Sequence, residues 1–457
     1  MHKTAVVNVV GLTSSLLGEH TPFLSKWAGE GHQATIDPVL PAVTCSAQAT
    51  YLTGEMPASH GIVANGWYFR DECEVKFWRQ SNHLIGGPKI WDRAREKDAS
   101  FTCANMFWWY NMYSSVDYSV TPRPIYRADG LKLPDAYSHP ADLRDRLQKK
   151  LGDFPLFEFW GPATTIRSSK WIADASRAVV EDFSPTLTLV YLPHLDYNLQ
   201  RVGPYHPQIA IDLREIDAVC EELITDFEQK GMRVIVLSEY GINEVSRPVS
   251  LNRIFRNEGF IAIREEMGLE LLDAGASKVF AVADHQLAHI YVNDKSLLGT
   301  VKTMVEQVPG VAMVLDQEGQ VAYGIEHPRS GELVAIADPD AWFTYYYWLD
   351  DARAPDFART VDIHRKPGYD PVELFTDPRY KFPMLQVGRR LIKKKLGFRY
   401  LMDVIPLDAT LVKGSHGHLT SDPGECPIFI TRHSELVPDK SIRPTQVHDI
   451  MMDHMFV

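Results

Sequence analysis

Three short, unbroken runs rich in Val, Leu and Ile, at residues 4–12, 186–192 and 233–237, constrain the fold of this 457-residue chain more than any other feature. A strand with one face in water alternates apolar and polar residues. A continuous apolar run of this length fits a strand covered on both faces, which is the habit of parallel sheets. Between the last two runs, Ile209, Leu213, Ile216, Cys220, Leu223 and Phe227 recur at intervals of four and three, and Gly231 follows. That spacing predicts a long amphipathic helix with a glycine C-cap. Strand, helix and strand on short connections form the βαβ unit of a doubly wound sheet. A second helix is predicted through Trp171, Ala175, Ala178 and Phe183, with Ser168 and Ser169 as cap candidates.

The expected fold class is therefore α/β, a doubly wound and mostly parallel central sheet with helices on both faces, plus inserted cap segments. Residues 1–275 and 400–457 are assigned to this core. Residues 66–165, with FWWYNMY at 107–113, are read as an irregular, aromatic-rich insertion within it, and 276–400 as a small α+β cap subdomain and loop. The aromatic stretch at 342–357 is read as packing beneath loops. A net charge of −12 argues against a nucleic-acid polymer as partner. It leaves room for a small anionic substrate, because an ion or a few local cations reverse the field inside one pocket. The five cysteines, at 45, 73, 103, 220 and 426, form no CxxC pair and leave one over, as in a reducing compartment. The N-terminus is read as a strand rather than a signal peptide, since Asn8 interrupts its apolar stretch. No apolar run approaches the roughly 18–20 residues that span a bilayer. The expectation is a cytoplasmic protein with no membrane partner; a homodimer stays open.

In an open parallel sheet, ligands bind beyond the carboxyl ends of the strands. There the chain places Gly11, Leu12 and Thr13 after the first run, His194, Asp196 and Gln200 after the second, and Glu239 and Tyr240 after the third. A separate loop at 40–54 sets Thr44 ahead of helix-compatible residues, where helix N–H groups and the helix dipole favour a phosphate.

Taken in order, VVGL, TPFLSKWAGEG, PAVTCSAQATYLTGEMPASHGIVANGW, VYLPHLDYNLQRVGP, VLSEYGI and GSHG at 414–417 resemble the nucleotide pyrophosphatase/phosphodiesterase branch of the alkaline phosphatase superfamily, over most of the chain. The resemblance implies an alkaline phosphatase-like fold and two-metal phosphoryl transfer. Carried over by position, it makes Thr44 the nucleophile and Asp196 and His416 ligands of one ion. The chain departs from the pattern at Val10, where the family has a first-strand Asp, and at Gln200, where it has His. It departs again at Glu239 and Tyr240, where the family has adjacent Asp and His, and at Ala47, where it has Asn. Gln and Glu keep donor atoms, so the expected metal set is Asp196, His416, Glu239 and Gln200 around Zn²⁺, Mn²⁺ or Mg²⁺, their number open. Tyr240 is expected to donate a hydrogen bond to a developing oxyanion. His206, Asp284, His285, Asp362 and His364 are secondary candidates for a relocated site. The expected function is metal-dependent hydrolysis of a small-molecule phosphate ester, of phosphodiesterase, pyrophosphatase or phosphatase type. A non-catalytic relative and a phosphoryl transferase or isomerase working through phospho-threonine are the alternatives.

Overall fold

The computed structural model describes residues 1–128, 131–398, 400–437 and 439–457. Among them, nine strands make the central sheet, in the spatial order Ser441–Ile442, His32–Ile36, Ile428–Thr431, Arg233–Leu237, Thr4–Val9, Leu187–Leu192, Cys103–Met106, Tyr118–Pro122, Ala136–His139. The five from Arg233–Leu237 to Tyr118–Pro122 run parallel. Ile428–Thr431 is antiparallel to both its neighbours, as is Ala136–His139 to its single partner, so the sheet is mixed toward its edges. The three apolar runs of the sequence are its central strands. Every residue of Thr4–Val9 and Leu187–Leu192 is buried, which is why neither shows a period of two.

The long amphipathic helix spans Pro207–Gln229 and packs on the helix Ile166–Phe183 and on the strand Arg233–Leu237. Gly231 follows with φ +73°, in the left-handed region that favours glycine. The shorter helix starts earlier than its apolar spacing indicates. Thr165 is its N-cap and accepts from the Arg167 N–H at 3.3 Å, whereas Ser168 and Ser169 are buried within the first turn. The segment 66–165 supplies three of the sheet's strands. Those strands have four or five residues each, and one carries Asn105, so no long apolar run announces them.

Residues from 279 to 337 hold a four-stranded antiparallel sheet ordered Val279–Asp284, Leu287–Val292, Leu333–Ala337, Val311–Leu315. Its first hairpin turns at His285 and Gln286. The Gln286 N–H bonds the His416 carbonyl at 2.9 Å, which holds this turn against the segment after Gly414–Ser415. Tyr345, Tyr346, Tyr347 and Trp348 are all buried in the core beneath this sheet. No described helix is long and apolar enough to cross a membrane.

Candidate active site

Two segments that leave the carboxyl edge of the parallel strands, one carrying Asp196 and the other Glu239 and Tyr240, meet beside Thr44. Thr44 opens the helix Thr44–Thr53, all ten residues of which are buried. Its hydroxyl lies 3.1 Å from the Tyr240 hydroxyl, and Tyr240 donates in turn to Asp196 Oδ1 at 3.2 Å. Asp196 stands in the first turn of the helix His194–Val202. Gln200, four residues on and so on the same helix face, donates its amide to Asp196 Oδ2 at 2.8 Å. The Gln200 oxygen accepts from the Tyr369 hydroxyl at 3.0 Å.

Glu239, one residue before Tyr240, takes amide N–H bonds on Oε1 from Asn8 and, at 2.5 Å, from Gln48. Its Oε2 is buried without a hydrogen-bond partner. His416 is carried in after the two-residue strand Gly414–Ser415. A Cβ on Gly414 would stand 2.0 Å from the Leu199 carbonyl, so only glycine lets this segment approach the helix that bears Asp196. His416 Nδ1 bonds the Ala42 carbonyl at 2.7 Å, and Nε2 faces Asp196 Oδ1 at 3.9 Å. Four rings stack through the site. Tyr240 lies on His416 (3.5 Å between centroids), His416 on His285 (3.7 Å) and His285 on Tyr369 (3.7 Å).

Burial dominates the electrostatics. It pushes the Asp196 carboxyl up to about 7, although the Tyr240 and Gln200 hydrogen bonds pull the other way. It pushes Glu239 up to about 8 against the bonds from Gln48 and Asn8. Burial also drives His416 down to about 3, holding it as neutral imidazole, and lifts the Tyr240 hydroxyl well above its ordinary value. Two carboxyls that change charge near neutrality therefore lie beside the Thr44 and Tyr240 hydroxyls.

The donor set does not fit two metal ions. At the first position Val10 is fully buried and offers no ligand atom, and Tyr240 is a neutral phenol in place of an imidazole. Glu239 is turned onto Asn8 and Gln48. Among the described residues, Asp196, His416 and Glu239 do not bring three ligand atoms within 4.8 Å of one another; His194, Asp212 and Glu215 do, farther along. Asp196 Oδ1 and His416 Nε2 stand 3.9 Å apart, about 0.4–0.9 Å wider than the roughly 3–3.5 Å between neighbouring ligands of an ion bound at about 2.1 Å.

Of the secondary candidates, Asp284 and His285 reach this neighbourhood. Asp284 accepts from the Asn65 backbone N–H at 2.7 Å and side-chain amide at 3.1 Å, and burial raises its carboxyl to about 7. His206 does not. It is the exposed N-cap of the helix Pro207–Gln229, its Nδ1 accepting from the Gln208 N–H at 3.1 Å, because that helix begins directly after it. Asp362 and His364 sit apart as well: Asp362 donates its N–H to Glu373, and His364 Nδ1 meets the Phe77 carbonyl. Sequence reasoning missed Asn8, Gln48 and Tyr369. Asn8 left a signal, since it is the polar residue inside an otherwise apolar buried strand. Tyr369 left none, for nothing in its local pattern marks it as facing Gln200.

The family model for type I phosphodiesterase/nucleotide pyrophosphatase matches residues 4–370. An uncharacterized pyrophosphatase/phosphodiesterase of Schizosaccharomyces pombe is 26% identical over 235 residues, 49% of this chain; the match spans only 40% of that relative's length. The fold superposes on murine ectonucleotide pyrophosphatase/phosphodiesterase 5, solved as an inactive threonine-to-alanine variant in complex with AMP, with TM-score 0.58, 14% identity and coverage of 100% and 95% of the two chains. Phosphonoacetate hydrolase from Sinorhizobium meliloti in complex with phosphonoformate gives TM-score 0.62, 12% identity and coverage of 99% and 96%. With an alkaline phosphatase-like α/β fold and a family match over most of its length, the chain belongs to the type I phosphodiesterase/nucleotide pyrophosphatase family.

Proposed function

We propose that the protein is a phosphoric ester hydrolase of a small phosphorylated molecule, with Thr44 as nucleophile and without the two-ion clamp. The observation that carries this reading is the Thr44 hydroxyl, at the start of a buried helix, touching Tyr240 between two carboxyls poised near neutrality. The Thr44 oxygen attacks phosphorus and displaces the ester's leaving oxygen, its proton passing through Glu239, whose Oε2 has no hydrogen-bond partner, to that departing oxygen; water then cleaves the phospho-threonine, releasing the phosphoryl product and restoring the hydroxyl. Tyr240 donates a hydrogen bond from a hydroxyl that stays protonated through the working pH range. Asp196 and Gln200 hold Tyr240 and Tyr369 in place. A single divalent ion, Zn²⁺, Mn²⁺ or Mg²⁺, held by Asp196 and His416, would supply charge neutralisation at the phosphoryl oxygens.

That the solved murine relative is described as inactive when a threonine is replaced by alanine supports the role given to Thr44. The −12 charge and the enclosed site support a small substrate over a nucleic-acid polymer. Five free cysteines, with Cys45, Cys103, Cys220 and Cys426 buried, support a reducing, cytoplasmic setting. The test is hydrolysis of aryl phosphodiesters and monoesters by wild type and Thr44→Ala, with metal content measured on both. Turnover lost in Thr44→Ala at unchanged metal content supports the assignment. Equal turnover in the two proteins removes it.

A further inference from the structure

Between Asp377 and Asp403 lie 25 residues with eight Lys or Arg and no Asp or Glu, in a chain whose net charge is −12. Most of this stretch is the helix Pro383–Lys395, about 20 Å long at 1.5 Å per residue. Leu385, Ile392 and Leu396 follow one another at spacings of seven and four, so they share one stripe. A stripe of this kind normally faces a protein core. Here all three side chains are between 61 and 68% exposed, and Phe382 and Phe398 at the two ends are equally open. Arg389 is exposed within the stripe, four residues after Leu385 and three before Ile392, where its long stem lies along the apolar side chains and its guanidinium reaches outward, and Lys393 and Lys395 are exposed to either side. Among the described residues no carboxylate pairs with them. Arg390 instead anchors the helix to the body through Asp403, at 2.6 Å.

We propose that this helix is a surface anchor for a membrane carrying anionic lipid, lying flat with the Leu385–Ile392–Leu396 stripe among the acyl chains and its cations at the headgroups. An amphipathic helix with large aliphatic and aromatic residues on one side and Lys and Arg around them is built for the bilayer interface. Phosphate-rich headgroups match the local positive charge, whereas the acidic remainder of the protein keeps the other faces away. A second copy of this chain fits poorly, because two such helices facing each other oppose their cations. A nucleic acid would use the cations but leave the exposed Leu and Ile unsatisfied. The helix does not span the bilayer; it rests on it.

The experiment is sedimentation of the full chain with phosphatidylcholine vesicles, with and without about 30% phosphatidylserine, at low and high salt. Wild type is expected to sediment with the anionic vesicles, to release at high salt and to stay in solution with phosphatidylcholine alone. Ile392→Asp and the pair Arg389→Glu with Lys393→Glu are each expected to weaken binding at least tenfold. These side chains are exposed, so circular dichroism and melting should match wild type. Absence of wild-type binding to anionic vesicles overturns the proposal, as does binding that all three substitutions leave unchanged. A dimer in sedimentation velocity that Ile392→Asp dissociates, without vesicle binding, would assign the stripe to a self-interface instead.

Discussion

Replacing Glu239 by Gln tests the electrostatics of the site without requiring a substrate. The carboxyl is fully buried, its Oε1 accepts from Asn8 and Gln48, and burial raises it to about 8. In the unfolded chain the same group titrates near 4.3. The folded protein therefore holds the proton more tightly. The stability tied to this group is fully present below about pH 4, falls as pH rises, and levels off above about 8. The gap of between three and four pH units amounts to up to about 5 kcal/mol at 1.36 kcal/mol per unit. Gln keeps the acceptor for Asn8 and Gln48 but cannot ionise. It places an NH₂ where Oε2 now has no partner, a cost of about 1–3 kcal/mol that does not depend on pH. The variant should thus be equal to or less stable than wild type at pH 5 and more stable at pH 9. Urea unfolding of both proteins across pH 5–9 reads this directly, since all other titrations cancel in the difference. A difference constant to within about 0.5 kcal/mol over that range would refute the reasoning.

Turnover by wild type should fall as pH drops through 8 and then 7, because Glu239 and Asp196 work in their charged forms and both take up protons there; a rate flat from pH 6 to 9 would exclude both roles. Asp196→Asn should abolish stoichiometric retention of a divalent ion at the active site, measured by elemental analysis after dialysis, while undiminished metal content would place any ion elsewhere. Lys366→Met strands the buried carboxylates Asp370 and Glu373, now 2.7 and 2.8 Å from the ammonium, and should cost about 3–5 kcal/mol at neutral pH by urea unfolding, with part of the loss recovered under acid as Asp370, whose carboxyl burial already pushes up, protonates. His206→Ala, at an exposed position away from Thr44, should leave turnover unchanged and stability within about 1 kcal/mol, the range of an N-cap.

The central strands were legible because burial on both faces removes alternation and leaves an unbroken apolar run. The long helix was legible because one face meets the sheet and the other meets water. Cys103–Met106 and its neighbours were not, being too short for any periodicity to emerge. In the site, Thr44, Asp196 and His416 carried the resemblance, and the structure brings the three together with Tyr240 and Gln200. What local sequence could not show is which way a donor atom turns. Glu239 has the oxygens of a metal ligand, yet two amides from distant segments, Asn8 and Gln48, occupy its Oε1. His206 stands ten residues from Asp196 but serves the next helix. Contacts such as Tyr369 with Gln200 join residues 169 apart in the chain and have no local trace.

The stack of Tyr369, His285, His416 and Tyr240 has a mechanical consequence. His285 sits at the first hairpin turn of the four-stranded sheet, whereas Tyr240 follows a strand of the central sheet, so the stacked rings join the two sheets beside Thr44. Moving one sheet against the other pulls His285 off His416 and Tyr369 off Gln200, so the site and the packing between the sheets loosen together.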